Sequence, residues 1–553
     1  MSDASLMFDL EDDCSHETDS FSNITASENT GRICILTHSF HSKFNLAIDD
    51  YKPEDNSDNH SDLSLDPLEE FVSKRDGFVY DENDVTLCLT NFRIIFILKD
   101  NLKTYNHSFY LFNVNNIVIN TLNKSTELKY SVTFLFKDIR LFILKIKNNV
   151  SQCLKFIEVL QDNIKLFNPI HFIKQLTIND VGWNIYNIYD EFSRFNIKDN
   201  WKIVNYNENY DICNSYPSAC ILPRNVTKEM LSCSANFRTN GRFPSLTWLN
   251  KNGNALLRSS QPLIGFTGKS DSDVMLLKLH CNNMKLHIFD CRDYFSALGN
   301  KLLNAGYENQ NDYPFTSIDW LNIPNIHSVK SSYDQCYVIY LSNKSVLPAL
   351  YNTNWLQYIQ RLLQSTLTVV NALKNESVLV HCSDGWDRTS QICSLVELYL
   401  DNYYRTLKGF IILIEKDWLS FGHQFSSRNG ITHDNDSISP IFLQFLHCVH
   451  CLLKQNHSAF EFNDALLQLL ADEMNNCRYG TFIYNNEKER KENKVMFRFR
   501  SIWDDVIGNE EYINKQYKQT DEITINCTML CISSWSNYYQ RHSNTEVSHL
   551  SLY

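Results

Sequence analysis

Cys382 and Arg388 stand six residues apart in the run His381-Cys382-Ser383-Asp384-Gly385-Trp386-Asp387-Arg388-Thr389. A cysteine thiolate is a strong nucleophile, and a planar guanidinium can grip two oxygens of one phosphate. The backbone N–H groups from Ser383 to Arg388 can close on the same anion. Nucleophile, cradle and cation together suit phosphoryl transfer through a cysteinyl-phosphate. Of the 17 cysteines, only Cys382 has an arginine six residues later. The reaction also needs a proton donor for the leaving oxygen, and two carboxylates lie in the loop, Asp384 and Asp387. Asp387 abuts Arg388 and ranks first, as the acid or as a brace for the arginine. Asp384 can do the same. The plainer reading of either is a loop carboxylate capping a backbone N–H. Thr389 can donate to the thiolate or cap the helix that follows. His381 reads as a buttress of the loop rather than a proton carrier.

Such a loop works only if rigid elements hold both of its ends. Residues 377–380 form a short, mostly apolar run of the kind found in buried parallel strands. After the loop, Ile392, Leu395, Val396, Leu398 and Tyr399 recur at helical spacing. The positive end of that helix then faces the anion site. Before the strand, Trp355, Ile359, Leu362, Leu363, Leu367, Val370 and Leu373 line one helical face. The bland alternative is a buried core cysteine near a surface arginine. A strand before, a helix after and Gly385 within the loop argue against it.

The chain has 553 residues, 43% apolar and 21% charged, with a net charge of −13. This is globular composition and long enough for more than one domain. The acidity is local. The first 70 residues hold 17 Asp and Glu against Arg32, Lys43 and Lys52, a charge of −14, which leaves the remaining 483 at +1. Residues 1–65 read as a disordered acidic tail. The near-neutral body carries no basic field for nucleic acid. Short β-prone runs at 85–90, 93–98, 108–112, 117–120, 131–136 and 140–146 precede an amphipathic helix at 150–163. Residues 180–510 mix strands and helices, as in an α/β domain. Residues 511–553 read as a polar C-terminal extension. No run reaches the roughly 18–20 apolar residues that span a bilayer. The start, MSDASLMFDLEDD, has neither a basic nor an apolar segment, so no secretory signal is expected. Cys448 and Cys451 lie inside the apolar run IFLQFLHCVHCLL and read as helix core. No cofactor or metal set is expected.

The loop HCSDGWDRT resembles that of the myotubularin family of phosphoinositide phosphatases. The resemblance extends to LTNFRIIF (89–96), SYPSACILP (215–223), FRTNGRFPSLTW (237–248), SQPLIG (260–265) and NIH (325–327). Downstream it covers WLSFGHQF (418–425), SPIFLQFL (439–446), FEFN (460–463) and YGTF (479–482). It implies a PH-GRAM domain at 66–168, β-rich with one C-terminal helix, before a cysteine-phosphatase domain with a central sheet flanked by helices. It implies a 3-phosphatase for phosphatidylinositol 3-phosphate and phosphatidylinositol 3,5-bisphosphate. Cys382 is then the nucleophile, Arg388 the phosphate clamp and Asp387 the general acid. Ser383, Asp384, Gly385, Trp386, Asn325 and Arg428 are then the substrate-binding residues, with Arg428 on the headgroup's other phosphate. Four residues before Arg428, a basic family position is Gln424 here. The implied partners are phosphoinositide membranes, endosomal or other, met peripherally from the cytoplasm, and homo- or hetero-oligomers with family members. The family's C-terminal coiled coil is not visible after about residue 510. An inactive lipid-binding scaffold and a protein-tyrosine phosphatase are the competing readings.

Overall fold

The computed structural model describes residues 69–540 except 70, 81–82, 100–103, 123–127, 139, 178–179, 196–199, 265–267, 300–305, 342–345 and 433–434. The acidic tail and residues 541–553 lie outside the described residues.

Seven strands form the first sheet: β1 (Phe71–Tyr80), β2 (Asn83–Thr90), β3 (Arg93–Lys99), β4 (Thr104–Tyr110), β5 (Val114–Thr121), β6 (Tyr130–Phe136) and β7 (Leu141–Ile146). All pairings are antiparallel, in the order β4-β3-β2-β1-β7-β6-β5. The aromatic side chains of Phe96, Phe109, Phe134 and Phe142 meet in its core. Helix α1 (Val150–Leu166) buries Cys153, Phe156, Ile157 and Leu160 against them. Strand β1 has no counterpart in the sequence reading. Its centre is Lys74-Arg75-Asp76-Gly77, and its register breaks between Arg75 and Phe78, so the alternation that marks a strand is lost.

The second body is built on a five-stranded mixed sheet. A small antiparallel pair, β8 (Trp201–Val204) and β9 (Cys220–Pro223), precedes it. The sheet comprises β10 (Ser245–Leu249), β11 (Ala255–Ser260), β12 (Leu286–Asp290), β13 (Thr316–Trp320) and β14 (Ser377–Cys382), ordered β10-β11-β14-β12-β13. Only β10 runs antiparallel to its neighbour. Strand β14 is central and all six of its residues are buried, which explains its unbroken apolar run. Helices α2 (Trp355–Leu373), α3 (Arg388–Leu400) and α4 (Ile441–Gln455) share its core. Cys448 and Cys451 are part of that core.

The packed body does not stop at 510. Ile523, Ile532, Trp535, Tyr538 and Tyr539 join the same core, and Trp535 stacks on His450 of α4. A few aromatic anchors spaced along a polar chain make no periodic pattern, so the segment reads as an extension in the sequence. The two bodies touch through polar contacts. Asn113 donates to Asn476 Oδ1 (3.2 Å), and Lys137 donates to the carbonyl of Asn429 (3.3 Å), the residue after Arg428. Among the described residues no helix is long and apolar enough to cross a membrane.

Candidate active site

Strand β14 ends at Cys382, opposite Ser260 on β11, while Asp290 on β12 pairs with His381. The C-terminal edge of parallel strands is where α/β folds place ligands. The chain turns there through 383–387 and enters α3 at Arg388. Gly385 makes the turn possible. Its φ is +78°, and a Cβ would stand 2.3 Å from the carbonyl oxygen of Ser259. Cys382 is 3% exposed, and its Sγ accepts two hydrogen bonds, from Gly385 N–H (3.2 Å) and Thr389 Oγ1 (3.3 Å).

The loop's carbonyls are held outward. Gly385 O accepts from Arg242 Nη2 (2.8 Å) and Arg258 Nη2 (3.2 Å). Trp386 O accepts from His423 Nδ1 (2.9 Å), and Ser383 O accepts from Gln261 N–H (3.1 Å). In a planar trans peptide the carbonyl and the next N–H point opposite ways. Pinning these three carbonyls outward turns the N–H groups of Trp386, Asp387 and Asp384 toward the concave side. The result is a cradle for a tetrahedral anion above Sγ. Arg258 is neutralised by Asp417 at 2.9 Å. Arg242 is fully buried, and its described hydrogen-bond partners are neutral: Ser215 Oγ (2.8 Å), Ser215 O (3.3 Å), Phe421 O (2.8 Å) and Gly385 O.

The charged side chains of the loop are already engaged. Asp387 receives a bidentate pair from Arg428, Nε to Oδ1 at 3.1 Å and Nη2 to Oδ2 at 2.7 Å, and His423 Nδ1 lies 3.1 Å from Oδ1. Burial alone would raise this carboxyl, but the Arg428 charge and the bonds from His423 and Arg428 hold it well below the usual carboxylate range. Asp384 accepts from Asn240 Nδ2 at 2.9 Å. Its carboxyl moves the other way, raised by burial and by the charge of Asp387. Arg388 Nη1 donates to Ile323 O at 3.2 Å and borders a cavity of about 470 Å³ that Asn325 and Arg361 also line. Asn325 Oδ1 accepts from Ser328 N–H at 2.9 Å, capping the helix Ile326–Leu341. The indole N–H of Trp386 is buried with no partner among the described residues.

Beneath the loop, His381 Nε2 lies 3.1 Å from Glu308 Oε2, off the hydrogen-bond line, and Arg238 donates to Glu308 Oε1 at 2.5 Å. Burial would lower His381, but Glu308 and Asp290 raise it. Burial would raise Glu308, but His381 and Arg238 hold it well below its ordinary value. The depressed Glu308 adds stability above its unfolded pKa of about 4.3, lost as pH falls below that. The raised His381 adds stability fully present below about pH 6.5, lost as pH climbs through its folded value. Glu308→Gln is therefore expected to destabilise most near pH 5.5, by about 3–5 kcal/mol for a broken buried pair, and less at pH 9. Thermal melts at the two pH values check this. An equal loss at both would remove His381 from the account.

The structure thus brings Cys382, Ser383, Asp384, Gly385, Trp386, Asp387, Arg388 and Arg428 around one loop. Asn325 lines the cavity beside Arg388. Sequence reasoning assigned no role to Arg242, Arg258, His423 or Glu308. Arg242 and His423 lie within quoted motifs, FRTNGRFPSLTW and WLSFGHQF, whereas Arg258 gives no local signal.

Residues 167–491 match the family described as myotubularin-like phosphatase domain, more than half of the chain. The chain belongs to the myotubularin-like phosphatase family. It is similar to "Myotubularin" of Xenopus laevis, 39% identical over 379 residues, covering 65% of this chain and 63% of that protein. It is similar to "Phosphatidylinositol-3,5-bisphosphate 3-phosphatase MTMR6" of Mus musculus, 36% identical over 382 residues, 66% of this chain and 62% of that protein. It is also similar to "Phosphatidylinositol-3-phosphate phosphatase MTMR7" of Mus musculus, 37% identical over 351 residues, 61% and 53% respectively. The matches span less than two thirds of these relatives. The myotubularin-like segment starts one residue after α1 ends, so the seven-stranded sheet lies outside it, and the packed chain continues past its end.

Proposed function

We propose that this chain is an active phosphoinositide 3-phosphatase acting on phosphatidylinositol 3-phosphate and phosphatidylinositol 3,5-bisphosphate. The observation that carries the reading is Cys382 Sγ at the floor of an inward-facing N–H cradle, accepting two hydrogen bonds, with Arg388 and Arg428 at the loop. Sγ attacks the 3-phosphorus, the P–O bond to inositol breaks, and the leaving oxygen takes a proton from Asp387. Water then attacks the cysteinyl-phosphate, returning its proton to Asp387 and releasing inorganic phosphate. Arg388 and the N–H groups of residues 383–388 bind the phosphate, Trp386 offers its free indole N–H, and Asn325 borders the approach. No resident cofactor enters this chemistry. In this reading the seven-stranded sheet with α1 is a PH-GRAM domain. The enzyme works peripherally on cytoplasmic faces of phosphoinositide-bearing membranes, endosomal ones included, alone or in oligomers with family members.

Phosphate release from short-chain phosphoinositides and a phosphotyrosine peptide, with Cys382→Ser as the blank, tests the proposal. Release from 3-phosphorylated lipids alone supports it. No release points to a scaffold, and preference for the peptide points to a tyrosine phosphatase. Gln424, whose amide donates to Gly422 O at 3.0 Å, brings no cation near Arg428. Gln424→Arg is expected to raise kcat/KM for the bisphosphate over the monophosphate by about tenfold, about 1.4 kcal/mol within the range of a charge-assisted bond. An unchanged ratio would separate Gln424 from the second phosphate.

A further inference from the structure

Strands β12 and β14 end side by side. Asp290 and His381 are partners in their register, and one residue further along stand Cys291 and Cys382. Cys291 N–H donates to His381 O and Ile323 N–H donates to Cys291 O, both at 2.8 Å, so the backbone at Cys291 is fixed on two sides. His381 and Arg292 both turn toward Asp290. His381 Nε2 lies 3.9 Å from its Oδ2, and Arg292 Nε donates to its Oδ1 at 2.9 Å. Successive side chains along a strand alternate, so Cys291 and Cys382 share the other face, where Thr389 of α3 reaches Cys382 Sγ. Neighbouring strands run about 4.8 Å apart, within the Cα separation of about 4.4–6.8 Å that a disulfide spans. Both cysteines are buried. Burial pushes the Cys291 thiol well above its ordinary value, and the charge of Cys382 adds to the rise. Cys393, the next buried cysteine on α3, is set among the charges of Arg258, Asp417, Glu397 and Lys416.

We infer that Cys291 is the resolving partner of Cys382: a hydroperoxide oxidises Cys382, and the two cysteines then close a reversible disulfide that blocks the nucleophile. The first step uses the same Cys382 thiolate as the proposed phosphatase reaction, and rests on that reading to this extent. Cys382 Sγ attacks one peroxide oxygen, the S–O bond forms and the O–O bond breaks. The sulfur gives two electrons to the peroxide and becomes a sulfenic acid. The departing alkoxide, or hydroxide from hydrogen peroxide, takes a proton from water. In the second step Cys291 Sγ attacks the sulfenic sulfur. The S–S bond forms, the S–O bond breaks, and the hydroxide leaves as water with the Cys291 proton. A sulfenic acid is neutral, so the charge that opposes ionisation of Cys291 is gone at the step that needs its thiolate. The fixed adjacency of the two strand ends offsets what burial still costs that thiol. A dithiol reductant returns two electrons and two protons and restores both thiols. Lacking a resolving thiol, a sulfenic acid goes on to sulfinic and sulfonic acids, which thiols do not reduce.

The test treats the full chain with hydrogen peroxide, alkylates the remaining thiols and maps the unreduced digest by mass spectrometry. The expected product is a pair of peptides joined through Cys291 and Cys382 that dithiothreitol separates. In Cys291→Ala the pair is absent and Cys382 is found as sulfinic or sulfonic acid. The share of Cys382 that dithiothreitol returns to an alkylatable thiol then falls about tenfold, because those acids are beyond reduction by thiols. Cys393→Ala should match wild type in both respects. Wild type without the joined pair, Cys382 joined to any other cysteine, or a Cys291→Ala chain as recoverable as wild type overturns the inference. The wild-type map needs no variant, so it decides even if Cys291→Ala misfolds. Phosphate release from a 3-phosphorylated lipid is measured alongside. Turnover lost to peroxide and regained with dithiothreitol supports both readings. Wild type with no turnover before oxidation fails the proposed function alone, and the thiol map still decides the disulfide.

Discussion

Asp387→Asn is expected to lower kcat on a phosphoinositide by about 10²–10⁴, the usual worth of a positioned acid. On an activated aryl phosphate, whose phenolate leaves without a proton, the loss should stay within about tenfold, because general-acid help is then superfluous. The physical case starts from the ion pair. In the free enzyme Arg428 grips both oxygens of Asp387, and both side chains are buried. A carboxylate so held stays ionised and cannot donate. An arriving phosphate brings negative charge to the same few ångströms and competes for Arg428. On the proposed reaction, Arg428 turning toward the phosphate would weaken the charge that holds Asp387 ionised, and burial would then raise the carboxyl. Asp384 is the rival, since its carboxyl is already raised by burial and by Asp387. Pairs of carboxylates driven apart in this way mark acid and base roles in other enzymes. Asp384→Asn is expected to cost less than about tenfold on either substrate, too little for a general acid. If the loss that depends on the leaving group follows Asp384→Asn instead, the donor is Asp384 and Asp387 only holds Arg428.

The part of this site that the sequence reveals is the part that is local. Cys382, Gly385 and Arg388 lie within one strand–loop–helix unit, and the chemistry of an anion loop depends on that short spacing. The strands of the first sheet are legible wherever β-branched and aromatic residues alternate. They fail at β1, where a charged, bulged centre breaks the pattern. The supports of the loop are illegible for another reason. Arg242 and Arg258 reach Gly385 from strands and turns more than 120 residues earlier in the chain, and only the fold brings them together. Arginine is a surface residue by default, so nothing in its local pattern announces full burial. The final segment is missed likewise, because Trp535, Tyr538 and Tyr539 anchor polar chain without periodicity.

Those hidden supports lead to the second large effect. Arg242→Met is expected to lower kcat by about 10²-fold, as for the loss of one oxyanion donor, and to slow alkylation of Cys382 at neutral pH. Arg242 Nη2 fixes the Gly385 carbonyl at 2.8 Å and so aims the Trp386 N–H into the cradle. Its guanidinium is also a buried positive charge whose described hydrogen-bond partners are neutral oxygens. An uncompensated buried cation is unfavourable unless an anion completes it. The anions that can do so are the Asp384 carboxylate, whose ionised form the Arg242 charge favours, the Cys382 thiolate and a phosphate held in the cradle. The charge thus favours the nucleophile before binding and the phosphoryl group during transfer. Arg405 supplies the control. It too is fully buried and donates to carbonyls, Leu398 O at 2.8 Å and Tyr399 O at 3.1 Å, but away from the loop. Arg405→Met should lower the melting temperature comparably yet leave kcat and Cys382 alkylation within about threefold, as for damage confined to stability. Arg242→Lys retains the charge without the fork, so it should restore alkylation more fully than turnover. If Arg242→Met and Arg405→Met lose activity only in step with stability, Arg242 is a packing residue and the cradle's field has another source.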